Sequence, residues 1–397
     1  MKIKSFRYFL LSITFTLLVW SCDQSTTSDP DPEPVVLVSS TLVKEYTKEQ
    51  LIAALGNQGQ TYALFIRGGV KQYKIVYKTK NTDGTEIQAS GGIAVPVIAN
   101  LTESLPLASY QHGTIFSDVD APSYFNIEGE GTLASLLSTL GYIVAAPDYI
   151  GYGTSKALPH TYEHREGLAT ASLDMLRAAK EFIKKEKIKW NESLYVGGYS
   201  EGGYATMALQ KKIEEEASSE FNLKASSCGA GAYNKTLSFK TLASVASDGD
   251  PTHNASYIWV LLTYDSIYKL NRPMTSYFIE PYATQIQKDK QNARITISFN
   301  KILSEAIKKG LADGTDTAVL NGVKDNDIFD WKPKTPTLLS HGDKDTYVPY
   351  FNTQTAYDAM IKRGATTVKL NKIAGGDHGS SVQQFLLDTI TFFATNK

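Results

Sequence analysis

Cysteine is nearly absent from this chain: its 397 residues contain only Cys22 and Cys228. If either thiol is engaged elsewhere no internal disulfide can form, so the fold must hold through its own core. A surplus of charge of one sign is missing too. Forty basic side chains face 41 acidic ones, for a net charge of −1. That balance gives no electrostatic footprint for nucleic acid. The apolar run near the N-terminus, residues 8–20, is too short to span a bilayer, which takes roughly 20 residues. No internal repeat is visible, which sets aside stacked-repeat architectures. What the chain has in quantity is length and tyrosine. Its length could hold two average domains, but α/β enzymes often use it for one. The 23 tyrosines suit an extracellular protein or one that handles polar organic ligands, although any single one can equally pack the edge of a core.

Lys2, Lys4 and Arg7 form a basic start to the apolar run, and together they read as an export signal over residues 1–21. The run leads into Val19-Trp20-Ser21-Cys22. This resembles the bacterial lipobox, in which small residues precede a lipidated cysteine; Ser21 fits and Trp20 departs from the pattern. The resemblance implies acylation of Cys22 and anchoring to a bacterial membrane, at the outer membrane or cell surface. Ordinary signal cleavage nearby would instead leave Cys22 a free thiol. Cys228 lies in Ala225-Ser226-Ser227-Cys228-Gly229-Ala230, a small-residue strand, and reads as an inert buried thiol. Residues 22–40 are expected to be a flexible tether, since the stretch to residue 34 is rich in Ser, Thr, Asp and Pro and cannot bury a core.

The remainder, 41–397, reads as one α/β domain. A short helix is expected over 47–55. Apolar runs at 73–77 and 91–97, separated by Asn81-Thr82-Asp83-Gly84, predict a hairpin. Short candidate strands then recur at 106–110, 142–146, 194–197, 225–229, 336–339 and 367–373, with helical stretches such as 167–186 and 203–216 between them. That alternation predicts a mainly parallel sheet with helices on both faces. The rhythm breaks over 233–331, where helical patterns continue without a core strand. An insertion there would sit over the strand ends, where α/β sheets bind ligands. It reads as a mostly helical cap, its aromatics Tyr257, Trp259, Tyr264, Tyr268, Tyr277, Phe278 and Tyr282 offering a wall for a substrate; a purely structural subdomain is the alternative.

The strongest motif is Gly198-Tyr199-Ser200-Glu201-Gly202, a G-x-S-x-G between an apolar strand and a helical stretch. Such a turn strains the serine backbone and pushes its hydroxyl out of the sheet, and glycines flank it because side chains would collide with neighbouring elements. A serine hydroxyl needs a base to remove its proton and an acid to hold that base, in the chain order Ser, acid, His. Beyond the insertion, Gly342-Asp343-Lys344-Asp345-Thr346-Tyr347-Val348-Pro349 follows a strand. Here the chain resembles the α/β-hydrolase family, whose acid often lies in G-x-x-D-x-x-V-P. The resemblance implies Asp345 as the acid, with Asp343 the alternative. His378, in Gly375-Gly376-Asp377-His378-Gly379 after the last strand, is the expected base.

The oxyanion formed in acyl transfer needs fixed donors. One is expected to be the amide of Glu201. The other is assigned to Thr114, with Gly113 close behind, because Gln111-His112-Gly113-Thr114 resembles the family's His-Gly element. Asp148-Tyr149-Ile150-Gly151-Tyr152-Gly153 resembles secreted lipase-like and esterase-like members. The function implied is a cofactor-free serine hydrolase acting on carboxylic esters of small molecules, lipids or glycans, with no metal; the oligomeric state stays open. Three other readings compete. A serine peptidase could use the same fold. His160-Thr161-Tyr162-Glu163-His164 spells H-x-x-E-H, a zinc-peptidase pattern if it lies on a helix. A surface lipoprotein that binds without chemistry is the third, disfavoured because all three triad positions are filled.

Overall fold

The hairpin predicted around Gly84 forms because its turn satisfies its own polar groups. The amide of Gly84 donates to the carbonyl of Asn81 at 2.9 Å, and Asp83 accepts from the amide and hydroxyl of Thr85. Gly84 sits at a φ of 85°, a region glycine enters without steric cost. The turn sets an unbroken register between β2 (Gly69–Lys80) and β3 (Glu86–Val97). In the computed structural model, residues 35–56, 63 and 66–397 are described. The expected signal segment, Cys22 and residues 22–34 of the expected tether lie outside them.

Nine strands form one sheet in the order β1-β2-β3-β5-β4-β6-β7-β8-β9. Besides the hairpin these are β1 (Leu37–Tyr46), β4 (Leu105–Gln111), β5 (Ile143–Pro147), β6 (Trp190–Tyr199), β7 (Asn222–Gly229), β8 (Thr337–Gly342) and β9 (Val368–Ile373). From β5 to β9 every pairing is parallel, while β1, β2 and β3 form an antiparallel edge. The fold is therefore α/β-hydrolase, a mainly parallel sheet with helices on both faces. β5 shows why its sequence lacks alternation: all five residues are buried, Ile143 and Ala145 against one layer, Val144 and Ala146 against the other. One layer holds α3 (Arg165–Lys185) and α4 (Glu201–Glu216); the opposite one holds α1 (Lys48–Ala54), α2 (Glu130–Thr139) and α12 (Val382–Thr395). α11 (Phe351–Lys362) links β8 to β9.

The tether expectation fails at its far end, because residues 37–40 are already strand. β1 pairs with β2, and Glu181 on α3 accepts the amides of Val36 and Leu37, each at 2.9 Å. Both faces of this edge strand are largely exposed, so it carries no alternating pattern to betray it.

Between β7 and β8 the chain leaves the sheet for six helices: α5 (Lys235–Ser244), α6 (Pro251–Ile267), α7 (Tyr282–Asp289), α8 (Phe299–Ile302), α9 (Glu305–Asp313) and α10 (Thr317–Asp325). α6 begins where expected of Asp-Pro: Asp250 accepts the amides of Thr252 and His253, and Pro251 has no amide to satisfy. These helices share an apolar core of their own. Most of the aromatics expected to wall a substrate site are spent there. Tyr264, Tyr277 and Phe278 are buried in that core, and Tyr268 binds Asp325. No helix among the described residues is long and apolar enough to cross a membrane.

Candidate active site

β6 ends at Tyr199, α4 starts at Glu201, and Ser200 makes the turn between them at φ 61° and ψ −124°. A non-glycine residue there is strained, and it persists because its surroundings fix it. The Ser200 amide donates to the Gly229 carbonyl at 2.9 Å. The glycines after it are obligatory for space. A Cβ on Gly202 would lie 2.1 Å from the Gln111 carbonyl oxygen, and one on Gly203 would lie 2.0 Å from that of Gly229. The glycines thus let α4 start flush against β4 and β7, with the serine hydroxyl facing away from the sheet.

Loops at the ends of β8 and β9 meet that hydroxyl. His378 Nε2 lies 2.9 Å from Ser200 Oγ, and its Nδ1 lies 2.6 Å from Asp345 Oδ2. The Tyr199 hydroxyl donates to the His378 carbonyl at 2.8 Å and steadies the loop. Asp345 has no exposed side-chain surface, and burial alone would raise its pKa. Hydrogen bonds from His341 and His378 outweigh burial and hold it down to about 2. The amides of Tyr347 and Val348 donate to its other oxygen at 2.9 and 2.8 Å. Asp343 stands apart: it is solvated, accepts the Gly375 amide and pairs with Lys372.

The sequence motifs do not single out His341. Its Nε2 faces two acceptors, Asp345 Oδ2 at 3.1 Å and the Val348 carbonyl at 2.7 Å, so it carries the proton. Its Nδ1 lies 2.6 Å from the Thr353 hydroxyl. A buried histidine thereby braces the acid from behind, a contact that spacing alone could not announce.

The other side of Ser200 is the loop after β4. A Cβ on Gly113 would lie 3.4 Å from the Tyr199 carbonyl and 3.9 Å from Ser200 Cβ, so this backbone runs alongside the serine. The His112 ring stacks on Tyr149 at 4.1 Å, and the Thr114 hydroxyl is 2.8 Å from that of Tyr162.

The H-x-x-E-H segment is not helical, and its two candidate ligands, His160 and His164, and its candidate base Glu163 diverge. His160 meets Glu201, Glu163 pairs with Lys235, and His164 accepts the Gly167 amide as the cap of α3. Glu163 sits at φ 49°, in the left-handed region, and its carboxylate meets Lys235. The Lys235–Glu163 pair is buried; burial pulls the lysine down and pushes the carboxyl up, and each is offset by its partner.

A cavity of about 860 Å³, including its mouth, opens at Ser200 and runs into the insertion. Its inner wall is aliphatic, with Leu242, Val260, Leu261, Leu303, Ile307 and Leu311. Of the seven aromatics singled out from the sequence only Tyr257 lines it, joined by Phe239, Phe299 and Tyr347. Trp259 instead stacks on Tyr162 at 4.5 Å, behind the wall.

Similar proteins were found at three levels. A secreted triacylglycerol lipase of Malassezia globosa is 28% identical over 268 residues, which cover 62% of this chain and 52% of that protein. The chain thus spans about half the length of that curated relative. The crystal structure of a candidate hydrolase from Legionella pneumophila superposes with a TM-score of 0.80 at 26% identity, covering 91% of this chain and 98% of that one. The rice cell wall degrading esterase LipA of Xanthomonas oryzae superposes with a TM-score of 0.77 at 24% identity, covering 91% and 97%. The sequence pattern of one family, described as secretory lipase, matches residues 122–386, from the loop before α2 into α12. With most of the sheet, the serine turn and the whole insertion inside that match, the chain belongs to the secretory lipase family.

Proposed function

We propose that this protein hydrolyses carboxylic esters through an acyl-enzyme on Ser200. The observation that carries the reading is the unbroken relay from Asp345 through His378 to Ser200, opening directly onto an apolar cavity. His378 takes the serine proton as Oγ attacks the ester carbonyl, then returns it to the departing alcohol oxygen. Water repeats the sequence on the acyl-enzyme. Asp345 holds His378 with Nδ1 protonated, so that Nε2 is the basic nitrogen. The amides of Glu201 and Thr114 receive the charge that develops on the carbonyl oxygen.

The aliphatic wall favours an acyl chain over a peptide, whose backbone polar groups would find few partners there. Val260→Phe should fill part of the cavity and shift kcat/KM toward short acyl esters. We expect the ratio between acetate and longer p-nitrophenyl esters to change by roughly 1–3 kcal/mol, the range for gaining or losing a hydrophobic contact. An unchanged ranking would show that the acyl group lies elsewhere.

Export fits both the basic-apolar N-terminal segment and the family's description, and we propose lipid attachment at Cys22 followed by a short tether. Cys22→Ser should move the protein from the membrane fraction to the soluble one with its specific activity unchanged. Retention in membranes after a high-salt wash would count against the anchor.

A further inference from the structure

The residue after Ser200 is a glutamate whose side chain is only 1% exposed, an awkward charge to set beside an oxyanion. It is met by His160, itself 3% exposed, with Nε2 at 2.8 Å from Glu201 Oε1. The other ring nitrogen, Nδ1, lies 2.7 Å from the Ile150 carbonyl. A carbonyl only accepts, so Nδ1 carries a proton. A ring with that proton alone would point a bare lone pair at a carboxylate. A second proton must therefore lie between Nε2 and Oε1, either as imidazolium with carboxylate or as imidazole with carboxylic acid. Both arrangements are neutral overall.

We propose that His160 is a positioning residue for the oxyanion hole: its shared proton lets Glu201 offer its amide to the reaction without its charge. The inference rests on the reading of Ser200 as nucleophile. The surroundings leave this task to His160. Its ring is packed among Tyr149, Tyr152, Tyr162 and Trp259, and burial pushes the pKa of those three tyrosines up, so they stay neutral. The neighbouring Lys235 is already matched by Glu163, His378 faces Ser200 and Asp345, and the Tyr347 hydroxyl is engaged by that of Ser256. Glu201 Oε2 has no hydrogen-bond partner among the described residues, so His160 is the group that answers this carboxyl. An uncompensated carboxylate this close to the developing oxyanion would oppose it through a poorly screened interior.

The test is a double-mutant cycle. His160→Gln keeps a donor in place but supplies no second proton, and it should lower kcat by about 10²-fold, the size of losing one oxyanion donor, with KM little changed. Adding Glu201→Gln removes the charge and should recover at least roughly tenfold of that loss, although it is a second substitution in the same buried site. If the pair serves packing alone, the two losses will add and no recovery will appear, which overturns the inference. Thermal unfolding of each variant separates a folding defect from a catalytic one; for a variant that fails to fold, the second arm is His160→Asn with the same partner change. Fluorophosphonate labelling of wild type and of Ser200→Ala tests the nucleophile independently. Lost labelling in Ser200→Ala with no recovery in the cycle would therefore sink this proposal and leave the esterase reading standing.

Discussion

Ser200→Ala should abolish ester hydrolysis, lowering kcat by about 10⁶-fold, and should erase labelling by a fluorophosphonate probe. The size follows from the turn. Ser200 alone brings a nucleophilic oxygen to the cavity mouth, 2.9 Å from His378 Nε2. Without it His378 has no proton to take and no covalent intermediate can form; the remaining amides and the cavity can only bind and polarise the ester. The substitution is also a clean one. Alanine keeps the Cβ that already exists at φ 61°, and the amide bond to the Gly229 carbonyl is untouched. The variant should therefore unfold within a few degrees of wild type. Stopped-flow measurement of p-nitrophenol release checks the prediction, since the wild type should give an acylation burst and the variant none. Labelling that persists in Ser200→Ala would place the nucleophile elsewhere.

The second large effect concerns the acid. Asp345→Asn should reduce kcat by about 10⁴-fold, as expected when the base is held in the wrong tautomer. The carboxylate accepts from His341, His378 and two amides; an asparagine can keep the amide bonds on one oxygen but not both histidines on the other. Its NH2 would face the Nε2 proton of His341, donor against donor. To relieve that, either His378 must present its unprotonated nitrogen to the amide or the loop must shift. Either way the nitrogen toward Ser200 loses its basicity. Asp343→Asn should cost far less, because that carboxylate is solvated and engages the Gly375 amide and Lys372. Measuring both at saturating substrate settles the ranking, and a reversal would mean that Asp343 orients the base.

Sequence made the loops that carry Ser200, Asp345 and His378 visible because their signals are local. Gly-x-Ser-x-Gly needs glycines at fixed offsets from the serine, and the Gly-His stretch at 376–379 and the Val348-Pro349 turn sit next to strands that apolar runs already mark. The central strands were legible for the same reason: β5 and the 225–229 part of β7 are buried on both sides and read as unbroken runs of small or apolar residues. β1 was not, since an edge strand with two exposed faces has no period to detect. The partners of His160 and Glu201, of Glu163 and Lys235, and of His341 and Asp345 were also hidden. Two of these pairs join residues 41 and 72 positions apart, and the third joins neighbours whose meeting depends on the turn between them. The aromatic wall was misplaced for a different cause. Tyr264, Tyr277 and Phe278 recur at spacings that fit a lining or a core equally well, and only the packing of α6 against the segments after it decides for the core.

The insertion leaves the sheet after β7 and returns at β8, two strands hydrogen-bonded side by side. Because the two strands are parallel, the excursion leaves at one end of the pair and returns at the other, a gap of one strand length that the sheet fixes whatever lies between. Closing a long excursion across such a fixed gap adds conformational cost only logarithmically with length. Because its helices also carry much of their own apolar core, residues on α8 and α9 that face this core can change at less risk than Lys235 on α5 or Trp259 on α6, which meet Glu163 and His160. In evolutionary terms the molecule divides its labour. The sheet holds Ser200, Asp345 and His378, and the excursion is the part on which selection for new substrates can act. Grafting the excursion of a homologue onto these same two strands is the laboratory equivalent of that history.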